Sequence, residues 1–124
     1  MFDHVTVRVS DREAAERFYD TVLPAIGLEQ AHLDEWGDFS LAQAGAAKPV
    51  TRGLHIGFLA PSRIQVDAFW RAGTDAGYRS DGEAGPRPQY EPDYYGAFLL
   101  DPDGNNVEVV NTIANGLFRS SAPG

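Results

Sequence analysis

Two of the three histidines and one glutamate of this chain have types and positions that suit metal chemistry. His4 opens the segment "HVTVRV", His55 opens "HIGFLA", and Glu108 stands inside "NNVEVV". Imidazole nitrogens and a carboxylate oxygen can fill three positions around a divalent ion and leave others for water and a bidentate ligand. If the fold brings the three together, they predict a site for Zn, Ni, Fe or Mn.

The three segments that carry these residues alternate between apolar and polar positions, as strands with one buried face do. Their apolar positions are Val5, Val7 and Val9, then Leu54, Ile56 and Phe58, and finally Val107 and Val109. His4, His55 and Glu108 each stand on the opposite face of their own strand. If the apolar faces pack on helices, the other faces form a common concave surface that carries two imidazoles and one carboxylate.

Each of the three residues also has a plainer explanation. A single strand histidine is more often a hydrogen-bonded structural residue or an exposed one than a metal ligand, and most strand carboxylates lie on a solvated face. Because both histidines and the glutamate occupy matching faces of matching strands, we take them together as a candidate metal site, in which Glu108 also serves as a candidate catalytic residue.

Other polar and aromatic side chains are candidates for binding a small molecule. Arg8 shares the face of His4 and could meet an anionic substrate or form a salt bridge at the rim of the sheet. Tyr90, Tyr94 and Tyr95 could line a pocket, although we expect at least one of them to fill the core or a dimer seam. We expect Trp36 and Trp70 to pack in the interior and His32 to lie at the surface.

Two helices are predicted to follow the histidine-bearing strands. Ser10 with Glu13 and Ser62 with Gln65 have the spacing of capping boxes, and apolar stripes follow both pairs. The residues placed to end these helices are Pro24 and Gly27 for the first and Gly77 for the second. A strand that begins with histidine therefore leads into a capped helix twice.

This repeat predicts an internal duplication within one domain. We expect a single domain over residues 1–124, with a first module at about 1–50 and a second at about 51–118. Further strands are predicted at 28–33, 38–43, 95–100 and 105–110. A loop is predicted at 81–93, and it is either a lid over the site or a surface connection.

Composition excludes several classes of function. The 124 residues include no cysteine, so disulfides, thiolate nucleophiles and cysteine-ligated metal sites are excluded. A formal net charge of −8 without a basic patch opposes nucleic-acid binding. No apolar run reaches the length of a membrane span, and the first residues do not have the pattern of a signal peptide, so we expect a cytoplasmic protein without a membrane partner.

Three segments resemble the vicinal oxygen chelate superfamily, which includes glyoxalase I, the bleomycin resistance proteins and the extradiol dioxygenases. These segments are "FDHVTVRVSDREAAERFYDTVL", "GLHIGFLAPSRIQVDAFW" and "YYGAFLLDPDGNNVEVV". The resemblance spans nearly the whole chain and implies an α+β fold. Two βαβββ modules would form one curved mixed sheet with helices on its outer face, as in the small single-domain members, which usually form homodimers.

In relatives that use a metal, the ligands stand at positions that the resemblance matches to His4, His55 and Glu108 of this chain. Glyoxalase I has a fourth ligand, a glutamate, whose position falls near Ser40, with Gln43 as a less favoured alternative. Neither residue is an acid, so the set is closer to the three-ligand iron or manganese arrangement of the dioxygenases. The residues expected to contact substrate are Arg8, Ser40, Tyr94 and Tyr95.

Two functions from different classes follow. The first is a metal-dependent lyase, isomerase or ring-cleaving dioxygenase that acts on a small substrate with vicinal oxygens. The second is a metal-free module that sequesters a cationic ligand in a dimer crevice, as bleomycin resistance proteins do. A dimeric domain that retains neither activity is the third possibility.

Overall fold

The computed structural model describes residues 2–32 and 34–112, and the last residues predicted for the second module lie outside this range. The first half contains four strands and one α-helix followed by a 3-10 helix (Leu23–Ile26). These elements are β1 (Val5–Val9), α1 (Arg12–Val22), β2 (Gln30–His32), β3 (Glu35–Trp36) and β4 (Phe39–Gln43). The strands form a mixed sheet in the order β1-β4-β3-β2, in which β1 and β4 are parallel.

The second half repeats this arrangement. Its elements are β5 (His55–Leu59), α2 (Arg63–Asp75), β6 (Ser80–Pro86), β7 (Tyr95–Leu100) and β8 (Asn106–Asn111). Their sheet has the order β5-β8-β7-β6, with β5 and β8 parallel. The predicted α+β fold of two βαβββ modules is confirmed. Its strands form two four-stranded mixed sheets, one in each module.

One hydrophobic core joins both halves. Phe18, Tyr19 and Val22 of α1 and Val66 and Phe69 of α2 are completely buried, as the predicted stripes require. The two sheets meet in this core through an edge-to-face contact between Phe39 and Phe58, whose ring centroids are 5.3 Å apart. Trp36, predicted to pack, is also fully buried. Within the described part of the chain, neither helix has the length and apolar composition needed to cross a membrane.

The helix ends were predicted in part. Ser62 caps α2 and accepts from the Gln65 N–H, and Gly77 follows the helix at a φ of 93°, both as expected. The first capping box is wrong: Asp11 caps α1 and accepts from the Ala14 N–H. Ser10 instead donates its hydroxyl to Asp103, at 2.5 Å.

The predicted loop at 81–93 is wrong in its first half. The residues from Ser80 to Pro86 form β6, which pairs with β7 in an antiparallel ladder containing register shifts. Gly82 has a φ of 152°, and a Cβ atom there would lie 2.9 Å from the ring of Phe98. Glycine therefore lets this irregular strand approach β7 closely. The connection between β6 and β7 is confined to residues 87–94.

The turn between β7 and β8 links the two halves of the chain. Asp101 accepts hydrogen bonds from the N–H groups of Asp103 and Asn105 and, at 2.7 Å, from the hydroxyl of Tyr19 on α1. Asn105 accepts from the Leu54 N–H and donates to the Thr51 carbonyl, both just before β5. We call Asp101, Asp103 and Asn105 the inter-module clamp.

Candidate functional site

His55 and Glu108 form the centre of the candidate site. In the parallel ladder of β5 and β8, Gly57 lies opposite Glu108. His55, two residues before Gly57 on the same face of β5, lies opposite Asn106. Because Val107 and Val109 are buried in the core, Glu108 points to the sheet face away from the helices. His55 Nε2 lies 2.8 Å from Glu108 Oε1, and the side chains of the two residues are 60% and 5% exposed. A buried carboxylate therefore contacts an accessible imidazole.

Tyr94 occupies the other oxygen of this carboxylate. Its hydroxyl donates a short hydrogen bond to Glu108 Oε2. Burial raises the pKa of Tyr94 above its ordinary value, and the hydrogen bond and the charge of Glu108 raise it further. The phenol consequently stays protonated at neutral pH and acts as a donor to the carboxylate.

Two glycines leave space around Glu108. A Cβ atom at Gly57 would lie 3.7 Å from Glu108 Oε1, and one at Gly96 would lie 3.3 Å from Oε2. Gly57 belongs to β5 and Gly96 to β7, the two strands that flank β8. Side-chain volume is therefore absent on both sides of the carboxylate.

His4 lies apart from this pair. It precedes β1, is exposed, and has its Nδ1 2.9 Å from Asp3 Oδ1. It lines a cavity of about 520 Å³ together with Phe2 and Leu59, two exposed apolar side chains. Within residues 2–32 and 34–112, no cluster of three or more histidine, aspartate or glutamate side chains is placed to hold a metal ion. The structure thus brings two of the three predicted ligands together.

The predicted substrate residues occupy different places. Arg8 is half-buried on β1, and its backbone N–H donates to the Thr51 hydroxyl at 2.9 Å. The Ser40 hydroxyl on β4 is 2.9 Å from that of Thr6 on β1. Tyr95 has its hydroxyl bound to a carboxylate of α2, Asp67, at 2.6 Å. Of this predicted set, Tyr94 is the residue that contacts the His55 and Glu108 pair.

Sequence reasoning missed Phe98 and Arg87. Phe98 lies directly opposite Glu108 in the β7–β8 ladder, and its ring centroid is 6.2 Å from that of His55. The guanidinium of Arg87 lies over the Phe98 ring, 5.4 Å from its centroid. Pairing the two strands across the turn "DPDGNN" would have identified Phe98, whereas Arg87, in a proline-rich segment, gives no comparable signal.

The geometry of His55 and Glu108 suits two ligands of one ion. Donor atoms bound at about 2.1 Å and at a right angle are about 3 Å apart, close to the observed 2.8 Å. A metal ion would replace the proton now shared by the two side chains. The donor set of nitrogen and oxygen fits a borderline divalent ion, and the third protein ligand is not supplied by the same cluster.

Solved structures share this fold. A glyoxalase/bleomycin resistance protein from Albidiferax ferrireducens T118 is 33% identical with a TM-score of 0.75, and the match covers 89% of this chain and 98% of that one. A virulence protein from Salmonella typhimurium is 20% identical with a TM-score of 0.63, over 91% and 97% of the two chains. The oxidase ChaP-H2 is 19% identical with a TM-score of 0.60, over 94% and 96%. The last two support the fold alone.

No curated protein matches the chain at a significant level. The family model of the Glyoxalase/Bleomycin resistance protein/Dioxygenase superfamily matches residues 1–109. This match covers His4, His55, both helices and Glu108. Together with the Albidiferax relative, it confirms the resemblance seen in the sequence, and the chain belongs to this superfamily.

Proposed function

We propose that this protein is a divalent-metal-dependent enzyme that acts on a small substrate with vicinal oxygens, as a lyase, isomerase or ring-cleaving dioxygenase. The observation that carries the proposal is the pair formed by His55 and Glu108, whose donor atoms are 2.8 Å apart on an accessible sheet face. A carboxylate that is 5% exposed is costly to bury, so a site that uses its charge is the simplest reason for its position.

The proposed ligands are His55, Glu108 and His4, with His4 supplied by a second copy of the chain. Two features support a homodimer of this kind. Phe2 and Leu59 are 80% and 59% exposed beside His4, so that end of the molecule presents apolar surface. The strand β5 is also an edge of its sheet, and an edge strand can pair with another chain, whereas the edge strand β1 already has the backbone of Arg8 hydrogen-bonded to Thr51.

When bound, the ion would polarise the vicinal oxygens of the substrate. The chain's own residues would orient that substrate. The Phe98 ring beside His55 offers an apolar surface, while Arg8 and Ser40, carried on the other sheet, are the proposed polar contacts. Tyr95 belongs to the same proposed set, although its hydroxyl is engaged by Asp67.

Metal content tests the proposal directly. Wild type, His55→Ala and Glu108→Gln are loaded in turn with zinc, nickel, iron(II) and manganese(II), freed of excess ion and analysed by mass spectrometry. We expect wild type to retain at least one of these ions stoichiometrically and both variants to lose it. The third histidine, His32, provides the control as His32→Ala, which should keep the ion. Equal low occupancy in wild type and His55→Ala would contradict the proposal.

Complementation tests the origin of His4. His4→Ala and His55→Ala are each expected to lose the metal. If His4 acts across the dimer, a mixed dimer of the two variants contains one site with both histidines, so co-expression should restore part of the metal content. If His4 acts within its own chain, no mixed site is intact and the content stays low. Turnover of catechols, α-ketoaldehyde–thiol adducts and epoxides by the loaded protein then narrows the reaction.

A metal-free binding module is the second candidate. It is favoured by one specific observation: both oxygens of Glu108 already have partners in His55 and Tyr94, so the carboxylate is satisfied without an ion. With a net charge of −8 and aromatic rings at Tyr90, Tyr94 and Phe98, the surface suits a cationic ligand. Calorimetry with bleomycin-like cations should then show stoichiometric binding in metal-free buffer, and no uptake across the panel would exclude it.

A further inference from the structure

We infer that Tyr94 is a positioning residue that fixes the Glu108 carboxylate as a one-oxygen metal ligand. This inference rests on the proposed metal site and adds a residue to it. The geometry that carries it is the division of the carboxylate between two partners, with Oε1 beside His55 Nε2 and Oε2 held by the Tyr94 hydroxyl. Only Oε1 then faces the position that an ion would share with His55.

The backbone of Tyr94 is held in place independently of Glu108. Tyr94 ends the connection 87–94, and its backbone is fixed at both polar groups. The Arg87 N–H donates to the Tyr94 carbonyl at 2.8 Å, and the Tyr94 N–H donates to the Glu91 carbonyl at 3.1 Å. The Arg87 side chain donates in turn to the Glu83 carbonyl at 2.7 Å. A connection closed in this way can determine the orientation of a carboxylate rather than follow it.

The surroundings of Glu108 show why such a partner is needed. Neither Gly57 nor Gly96 has a side chain that could hold an oxygen of Glu108, so the carboxylate depends on His55 at Oε1 and on Tyr94 at Oε2. Without the Tyr94 hydroxyl, Oε2 would be a buried oxygen that lacks this donor, and the orientation of the group would depend on His55. Groups that orient a metal ligand from outside typically change metal affinity by about ten- to a hundredfold when they are removed.

Removal of this single hydroxyl provides the test. The zinc dissociation constants of wild type and Tyr94→Phe are measured by competition with a chromophoric chelator. We expect Tyr94→Phe to bind zinc about ten- to a hundredfold more weakly than wild type. Tyr90→Phe is the matched control, because the Tyr90 ring packs edge-on against Tyr94 at 4.9 Å and loses a hydroxyl that does not contact Glu108. Its zinc affinity should equal that of wild type.

A second variant reaches the same contact without removing the hydroxyl. A methyl group in Gly96→Ala would lie 3.2 Å from the Tyr94 ring and 3.3 Å from Glu108 Oε2, so it should displace one from the other. We expect weaker zinc binding here too. Melting temperatures without metal show whether each variant folds, and the cobalt(II) absorption spectrum reports whether the coordination geometry changes, which loss of stability alone would not produce.

The outcomes separate the two claims. Wild type that binds none of the tested ions would overturn both the proposed function and this inference. Wild type that binds zinc while Tyr94→Phe binds it equally well would leave the metal site intact and overturn the role of Tyr94. Weakened binding in Tyr94→Phe and Gly96→Ala, with Tyr90→Phe unchanged, would support both.

Discussion

At the scale of single residues, buried polar groups are the informative feature of this molecule. Glu108 has His55 and Tyr94 as partners, and Asp101, which is 4% exposed, has the hydroxyl of the fully buried Tyr19. Both carboxylates therefore receive a tyrosine donor, but their settings differ. Asp101 lies inside the clamp between the two halves, whereas Glu108, which is equally buried, contacts an exposed imidazole. We expect the first arrangement to serve stability, while the second carries the proposed metal site.

Tyr19→Phe should reduce the free energy of unfolding. The substitution keeps the ring in the core but removes the donor at 2.7 Å from Asp101, leaving that buried carboxylate with fewer hydrogen bonds. We expect a loss of about 1–3 kcal/mol, measured by urea denaturation at neutral pH. Tyr78→Phe, which removes a hydroxyl from another aromatic ring packed against Phe18, is the control and should change stability much less. Equal stability of Tyr19→Phe and wild type would contradict this role.

Tyr19 should also make the protein sensitive to alkali. Burial raises its pKa above the ordinary value of 10.0, and Asp101 raises it further. Above pH 10 the unfolded chain releases the Tyr19 proton while the folded chain keeps it, so the free energy of unfolding falls as pH rises. The contribution of this residue should fall by about 1.4 kcal/mol per pH unit. Urea denaturation at increasing pH should show the advantage of wild type over Tyr19→Phe shrinking, and a constant difference would contradict the prediction.

The candidate site was predictable wherever strand alternation applies. His55 begins one regular strand and Glu108 lies inside another, each on the face opposite to apolar residues, so counting residues placed both on the same face. His4 precedes β1, which begins at Val5, and alternation does not determine where such a residue points. The role of Tyr94 depends on the folded connection 87–94, and no local pattern specifies that connection.

At the scale of elements, α2 packs closely on one face of the second sheet. The candidate site therefore lies on the other face of that sheet. Gly73 is buried in α2, and a Cβ atom there would lie 2.4 Å from Leu99 Cδ1 on β7 and 3.3 Å from Val22 Cγ1 on α1. Leu99 and Val22 are both fully buried. Absence of a side chain at Gly73 therefore allows helix and sheet to approach, with Glu108 and Phe98 on the far face of that sheet.

Gly73→Ala should destabilise the protein although alanine favours helices. Helix propensity would add about 1 kcal/mol, but the methyl group overlaps Leu99, and overpacking in a core costs about 1–3 kcal/mol. We expect a net loss in wild type, measured by urea denaturation. In a Leu99→Ala background the overlap is gone, so the same substitution should stabilise the protein. Stabilisation in both backgrounds would show that the contact is not restrictive.

Elements with strong local signals were predicted well, and those formed by tertiary pairing were not. Ser62 with Gln65 predicted the start of α2, because a side-chain cap is a local interaction. Ser10 has the same spacing with Glu13 but bonds to Asp103, a residue distant in sequence, so Asp11 caps α1 instead. The segment that forms β6 contains glycine and proline and becomes a strand through its pairing with β7.

At the scale of the whole molecule, the inter-module clamp couples the two halves. Asp103 accepts from Ser10, Asp101 accepts from Tyr19, and Asn105 binds the connection that leads into β5. This turn belongs to the second half of the chain, while Ser10 and Tyr19 belong to the first. Since a single core also spans both sheets, we expect the halves to unfold together.

Asn105→Asp tests this coupling. The side chain is 1% exposed, and the change replaces its donor to the Thr51 carbonyl with an acceptor beside Asp101. We expect a loss of about 2 kcal/mol or more, with the near- and far-ultraviolet circular dichroism transitions shifting together. Asp103→Asn keeps one of the two exposed acceptors for Ser10 and should change stability much less than Asn105→Asp. Separate transitions for the two signals would contradict cooperative unfolding of the whole molecule.

The glycines beside Glu108 have a consequence for remodelling the protein. Gly57 faces the carboxylate from an edge strand, where a Cβ atom would meet Oε1 at an ordinary van der Waals distance of 3.7 Å. A serine, valine or phenylalanine introduced at Gly57 would reduce the space beside the carboxylate in graded steps without replacing a proposed ligand. A library at this one codon is consequently a direct way to reshape selectivity by size while the coordinating chemistry is left untouched.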